Sequence, residues 1–133
     1  MSNTTRTGVT LVYDDAMAGY RFGERHPMNP ARLGLTARLI DELGVLTRTG
    51  SSVRAPYVAD DDQLRTVHAA AYVEAVQQAS GPEGESNPGM GLGTEDDPIF
   101  PDLHEASARL FGGSLVAAEA VLEDNGTPGV SFG

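Results

Sequence analysis

The pattern of apolar and polar positions predicts short strands separated by longer helical regions. Gly8–Tyr13 is apolar and rich in β-branched residues, and it ends at two aspartates, which predicts a buried strand. The region 16–28 mixes glycines, aromatics and charges without a period, which predicts a loop. Val53–Val58 predicts a short strand or an extended link, because Pro56 cannot donate a ladder hydrogen bond. Val130–Gly133 is typical of the start of a further buried strand.

A helical pattern follows the first loop. Asn29 is a favourable N-cap residue, and Pro30 suits the first helical position because its missing N–H has no partner there in any case. Gly44 is a natural C-terminal stop. The spacing therefore predicts a helix over 30–43. Its apolar positions are Leu33, Ala37, Ile40 and Leu43.

Two further regions have helical spacing. Asp60–Asp62 places negative charge at a predicted helix N-terminus, where the helix dipole favours it. Short helical pieces are predicted over 64–68 and 70–80. A long helix is predicted over 102–123, and the Asp-Asn-Gly sequence at 124–126 is expected to end it.

The order of these elements indicates the fold class. Strands that alternate with helices are typical of an α/β fold with a parallel sheet. The glycine-rich stretch 81–93 is predicted to be a flexible loop rather than a domain boundary. Residues 1–133 therefore form one predicted domain, and we expect it to be incomplete because so few strands make a poor sheet on their own.

Composition narrows the possible functions. The chain has 133 residues, nine basic against nineteen acidic, and a net charge of −10. It has no cysteine and no lysine, which excludes disulfides, thiolate metal sites and lysine chemistry. The negative charge argues against direct binding of nucleic acid or of an anionic membrane. We expect a cytoplasmic, bacterial protein without a membrane span or a secretory signal.

The candidate chemical groups are few. The histidines, His26, His68 and His104, lie far apart in sequence and form no local zinc motif. The acidic run Asp60–Asp62 most simply caps a helix. Glu95–Asp97 lies at the end of the glycine-rich loop, so a carboxylate there could accept hydrogen bonds from amide N–H groups of a substrate. The alternative for these carboxylates is an acidic loop surrounded by solvent.

Four segments, in order, resemble the histone deacetylase family, which includes bacterial acetoin-utilisation deacetylases and acetylpolyamine amidohydrolases. They are His26–Leu33 (HPMNPARL), Val67–Val73 (VHAAAYV), Glu95–Phe100 (EDDPIF) and Gly112–Ala118 (GGSLVAA). The resemblance implies the N-terminal part of a three-layer α/β/α domain of the arginase-deacetylase type. It also implies zinc-dependent hydrolysis of acetyl-lysine or of an acetylated small amine.

The resemblance also implies roles for individual residues. Asp96 would hold the substrate backbone, and residues 81–95 would form a flexible loop on the substrate side. Arg32 would lie beside an internal channel through which acetate leaves. Tyr20, Phe22 and Met28 would pack around that channel, with Phe22 replacing a tyrosine that is frequent in the family.

The family's catalytic groups lie beyond the matching segments. A His-His pair, an Asp-x-His motif, a later aspartate and a tyrosine act on the zinc-bound water and the acetyl carbonyl in that family. Val130–Gly133 resembles the strand before the His-His pair. His68 would be structural, and Asp97 has no assigned role. We therefore expect no catalytic residue, no metal ligand and no cofactor in this chain alone, and no activity from it.

Two other interpretations remain open. The chain could be a non-catalytic binding or regulatory module that assembles with itself or with a full-length deacetylase through an exposed sheet edge. It could also be an unrelated small acidic α/β binding protein whose motif matches are coincidental.

Overall fold

The computed structural model describes residues 8–123 and 127–133, and within them strands and helices alternate. The strands are β1 (Thr10–Val12), β2 (Ser52–Arg54) and β3 (Gly129–Ser131). The α-helices are α1 (Ala31–Glu42), α2 (Asp61–Arg65), α3 (Ala70–Ala79) and α4 (Leu103–Glu123). The strands form one parallel sheet in the order β2-β1-β3. The predicted α/β fold with a parallel sheet is therefore confirmed.

The two faces of the sheet differ in how well they are covered. Leu11 pairs with both Val53 and Val130, so these side chains point to the same face. Val12 points to the other face, where it packs against Val116 of α4. Val53 and Val130 are 51% and 40% exposed. A strand was correctly predicted at Val130–Gly133, but it was wrongly predicted to be buried, because β3 is an outer strand of the sheet.

The predicted first helix, 30–43, is confirmed but is one residue shorter at each end. Pro30 rather than the predicted Asn29 is the N-cap residue, although the Asn29 side-chain oxygen accepts the N–H of Ala31, the first helical residue, at 2.9 Å. Gly44 follows the helix with φ +67, the left-handed conformation that favours glycine. The apolar stripe is less buried than its spacing suggests. Leu33 is fully buried, whereas Leu43 is 67% exposed.

The acidic run before α2 caps the helix as predicted. The Asp60 carboxylate accepts the Gln63 N–H at 2.8 Å, and the Gln63 side chain accepts the Asp60 N–H at 3.0 Å. This reciprocal pair is a capping box.

Strand β2 ends at Arg54, before Pro56, and the chain continues to α2 without a ladder partner.

The long helix over 102–123 is confirmed by α4, and its predicted end at 124–126 lies outside the described residues. Gly112 lets this helix approach the rest of the chain closely. A Cβ atom on Gly112 would overlap the Tyr57 carbonyl oxygen, and one on Gly113 would lie 3.0 Å from the Ser131 hydroxyl. The glycine pair within the GGSLVAA segment therefore brings α4 against β3 and the segment before α2. Within the described residues, no helix is long and apolar enough to cross a bilayer.

The glycine-rich loop has local structure. Pro88–Met90 forms a 3₁₀ turn, and Asn87 and Leu92 exchange backbone hydrogen bonds at 2.9 and 3.0 Å. Leu92 is only 1% exposed and packs in the main apolar cluster. One apolar side chain thus anchors the loop to the core next to Asp96, and the flexibility of 81–95 stays a prediction.

Candidate functional site

A half-open cavity of about 140 Å³ is lined by the four residues for which the sequence resemblance implied a channel. These are Tyr20, Phe22, Met28 and Arg32. They come from two different elements: three lie in the loop that follows β1, and Arg32 lies in the first turn of α1. The fold therefore brings the four residues together, while their role as a channel stays a prediction.

Aromatic packing fixes the loop side of this cavity. Tyr20 is 4% exposed, and its ring centroid lies 5.2 Å from that of Phe22. Phe22 also contacts Phe100 edge-on, with 5.9 Å between ring centroids. Leu33, fully buried in the same apolar cluster, holds the start of α1 against this loop. The adjacent Arg32 is positioned by that contact.

Two polar atoms are buried here without a partner among the described residues: the Tyr20 hydroxyl and Arg32 Nε. A buried donor without a partner costs roughly 1–3 kcal/mol, so such atoms are rare in stable interiors. Both atoms can donate a hydrogen bond. Both atoms belong to side chains that line the cavity, and a carboxylate, with two acceptor oxygens, has the chemistry to partner them.

Another part of the wall comes from α4 and from Phe100, which precedes the helix in sequence. Phe100, Leu103, Ser107 and Leu110 line this wall. The last three are spaced by four and three residues and therefore share one helical face. Helical spacing placed Leu103 and Leu110 on an apolar face, but it could not show that the face closes a cavity with the 20–32 region. The sequence reasoning missed these residues as part of the site.

Asp96 lies in a separate, open recess of about 670 Å³. The recess lies between the 22–27 loop and the segment Glu95–Asp96. Asp96 is exposed, and its carboxylate has no hydrogen-bond partner within the described part of the chain. Phe22 lines both the recess and the 140 Å³ cavity, so the two spaces share one side chain as a wall.

His26 joins the two loops around the recess. The Met28 N–H donates to His26 Nδ1 at 3.1 Å, and His26 Nε2 lies 3.1 Å from the Asp96 carbonyl oxygen. Since Nδ1 accepts a hydrogen bond, it carries no proton, and the neutral ring has its proton on Nε2. His26 Nε2–H therefore donates to the Asp96 carbonyl. The sequence analysis included His26 in the HPMNPARL segment but did not predict this contact.

Asp97 closes the loop that carries Asp96. Its carbonyl accepts the Gly93 N–H at 2.8 Å, and its N–H donates to the Thr94 hydroxyl at 3.1 Å. Burial raises the pKa of the Asp97 carboxyl above its ordinary value. The ionised form of this carboxyl is therefore less favourable than that of a fully exposed aspartate.

The other two histidines lie elsewhere. The His68 ring contacts Tyr72 and Phe111, with centroid distances of 5.5 and 6.3 Å. His104 Nε2 lies 3.9 Å from an Asp61 carboxylate oxygen. Across residues 8–123 and 127–133, no group of three or more histidine and acidic side chains could hold a metal ion. The described residues therefore do not fit the zinc site that the resemblance implies for a whole family domain.

Comparison with known proteins identifies the same family that the four sequence segments resemble. The chain is 37% identical to the acetoin utilization protein AcuC of Staphylococcus xylosus, over 100% of its own length and 34% of that protein. It is 33% identical to the AcuC proteins of Bacillus subtilis (strain 168) and Staphylococcus aureus (strain MRSA252), over 92% of its length in each case. It thus spans about a third of the length of these curated relatives. The family model of the histone deacetylase domain matches residues 26–132, and the chain belongs to that family.

Proposed function

We propose that this chain is the N-terminal, substrate-holding portion of a cytoplasmic, zinc-dependent deacetylase that acts on acetyl-lysine or on an acetylated small amine. The family match and the coverage of a third of the relatives support this proposal. The chemistry of hydrolysis requires a group that activates water and a base. The described residues offer no metal site, so we expect the isolated chain to be inactive.

The observation that carries the proposal is the convergence of four side chains on one cavity. Tyr20, Phe22, Met28 and Arg32 were selected from sequence resemblance alone, and all four line the same 140 Å³ space. The unpartnered Tyr20 hydroxyl and Arg32 Nε are donors suited to a small carboxylate. Acetate, the product of deacetylation, is such a carboxylate, which supports the role of an exit channel.

Asp96 supplies the second half of the proposal. Its carboxylate is exposed beside an open recess, and its oxygens are free to accept hydrogen bonds within the described part of the chain. An ionised carboxylate accepts peptide N–H groups more strongly than a neutral oxygen does. We therefore assign Asp96 to holding the backbone of an acetylated peptide.

A chimera tests this function. Residues 1–133 would replace the matching third of the Staphylococcus xylosus relative, and deacetylation of an acetyl-lysine peptide would be followed with zinc present. We expect turnover from the chimera and none from the isolated chain. Asp96→Asn should raise KM for the peptide by about tenfold or more, because charge-assisted hydrogen bonds are lost. Asp62→Asn, an exposed aspartate in the first turn of α2, is the matched control. Turnover by the isolated chain would contradict the proposal.

A second candidate function rests on the sheet edges. β2 and β3 are the outer strands, and neither has a further strand partner among the described residues. Their central side chains, Val53 and Val130, are partly exposed. A regulatory module that pairs with itself, or with a full-length deacetylase, would cover such an edge. Sedimentation equilibrium decides between the two functions: a stable dimer or a stoichiometric complex with a deacetylase favours the module.

A further inference from the structure

We infer that His26 is a positioning residue that holds the Asp96 loop in its substrate-binding position. This inference rests on the proposed function, since it concerns the residue assigned to the substrate backbone. Its basis is a pair of hydrogen bonds made by the His26 ring, a local one to Met28 and one to Asp96, which is 70 residues away.

The bridge uses both ring nitrogens of the imidazole. Nδ1 accepts the Met28 N–H and thereby orients the ring within its own loop. Nε2–H then donates to the Asp96 carbonyl at 3.1 Å. The bond goes to the backbone of Asp96 rather than to its carboxylate, so it fixes the loop while leaving both carboxylate oxygens available to a ligand.

Packing holds the imidazole in place. Its ring meets Phe22 edge-on, with 4.8 Å between ring centroids and 62° between planes. Phe22 in turn packs against Tyr20 and Phe100 on the wall of the 140 Å³ cavity. The imidazole thus connects a rigid apolar cluster to a loop that is otherwise closed by short local bonds between residues 93 and 97.

Two substitutions separate the two hydrogen bonds. His26→Gln places an amide N–H close to the position of Nε2 and keeps the donor to the Asp96 carbonyl. His26→Asn places an amide oxygen near Nδ1 and keeps the acceptor for the Met28 N–H, but its side chain is too short to reach Asp96. If His26 acts through Asp96, the glutamine variant should retain peptide binding and the asparagine variant should lose it. If His26 acts only within the 22–28 loop, the asparagine variant should retain peptide binding and the glutamine variant should lose it.

Kinetics of the chimera provide the first readout. The substrates are an acetyl-lysine peptide and acetylputrescine, an acetylated diamine without a peptide backbone. We expect H26N to raise KM for the peptide about fivefold, the value of roughly one hydrogen bond, with little change in kcat or in either parameter for acetylputrescine. H26Q should stay within about twofold of the parent. Equal losses for both substrates, or rescue by asparagine alone, would overturn the inference.

Amide hydrogen exchange in the 133-residue chain provides the second readout, which does not depend on activity. The Gly93 and Asp97 amides, which close the Asp96 loop, should exchange several-fold faster in H26N than in H26Q. Equal exchange in the two variants would overturn the bridge itself. An unchanged peptide KM in the Asp96→Asn chimera would instead overturn the proposed role of Asp96, so the two failures are distinguishable.

Discussion

The cavity and the Asp96 recess share the Phe22 side chain, yet different forces build them. Mostly apolar side chains from α4, the loop after β1 and Phe100 surround the cavity together with Arg32 of α1, and Tyr20 and Leu103 in its wall are each 4% exposed. The recess is open, and its shape depends on loop hydrogen bonds made by His26 and Asp97. Packing of the core therefore determines the cavity, whereas a few polar contacts determine the recess.

This difference separates stability from binding. Residues of the cavity wall contribute to the core, so changes there alter the free energy of unfolding. Exposed residues of the recess bury little surface, so changes there alter ligand contacts with small effects on stability. Phe22 belongs to both regions and is the one position where we expect the two effects to coincide.

The largest effect is expected from Leu103→Ala in the cavity wall. Loss of this buried side chain should lower the free energy of unfolding by about 2–5 kcal/mol, because apolar contacts disappear and the cavity grows. Urea denaturation measures it. Leu43→Ala, at the exposed residue that follows α1, is the matched control and should change stability by less than about 0.5 kcal/mol. Equal losses in the two variants would show that Leu103 is not part of a packed wall.

A smaller effect of opposite sign is expected from Tyr20→Phe. The Tyr20 hydroxyl is buried without a partner in the described residues, so its removal should raise stability by about 1 kcal/mol in acetate-free buffer. Acetate should raise the Tm of the parent chain more than that of this variant, since ligand binding stabilises the native state.

Tyr57→Phe is the control for that experiment. The Tyr57 hydroxyl donates to a Glu119 oxygen at 3.0 Å and lies 3.3 Å from the Gln63 amide nitrogen. Its removal should lower stability rather than raise it. A destabilised Tyr20→Phe chain with no difference in its response to acetate would contradict a carboxylate site in the cavity.

The smallest effect is expected from Asp97→Asn beside the recess. Burial raises the pKa of the Asp97 carboxyl above its ordinary value of 3.8, so the native state disfavours the ionised form. The resulting destabilisation is present at neutral pH and disappears as the pH falls through the raised pKa and then below 3.8. Asp97→Asn should therefore raise Tm slightly at pH 7, and the difference should vanish in acid. A difference that grows in acid would contradict this sign.

The elements with local signals were predicted well. Asp60 and Gln63 form their capping box from residues three apart, and α4 follows a long apolar period. The burial of Leu43 and of β3 was predicted wrongly. Periodicity identifies which side chains share a face, but it does not tell whether another element covers that face. Leu43 and Val130 are both exposed for this reason.

The candidate site shows the same limit. Resemblance of short motifs selected Arg32 and Asp96, and no local pattern could relate Asp96 to His26, which is 70 residues away. The contact exists because the loop after β1 and the loop before α4 meet beside the same sheet. The His26 ring bonds to the Asp96 carbonyl and the Met28 N–H, and every residue except proline carries both groups. The residue types at these positions therefore do not predict the contact.

The sequence by itself determined the family, the alternation of strands and helices, the caps and the residue types available for chemistry, because motifs and local hydrogen bonds depend on neighbouring residues. Only the tertiary structure decided that Tyr20 and Arg32 face one cavity, that Asp96 lies outside it, and that His26 links the two regions. These relations depend on how α1 and α4 pack around Phe22 and its neighbours. Packing of distant segments is a property of the folded chain as a whole.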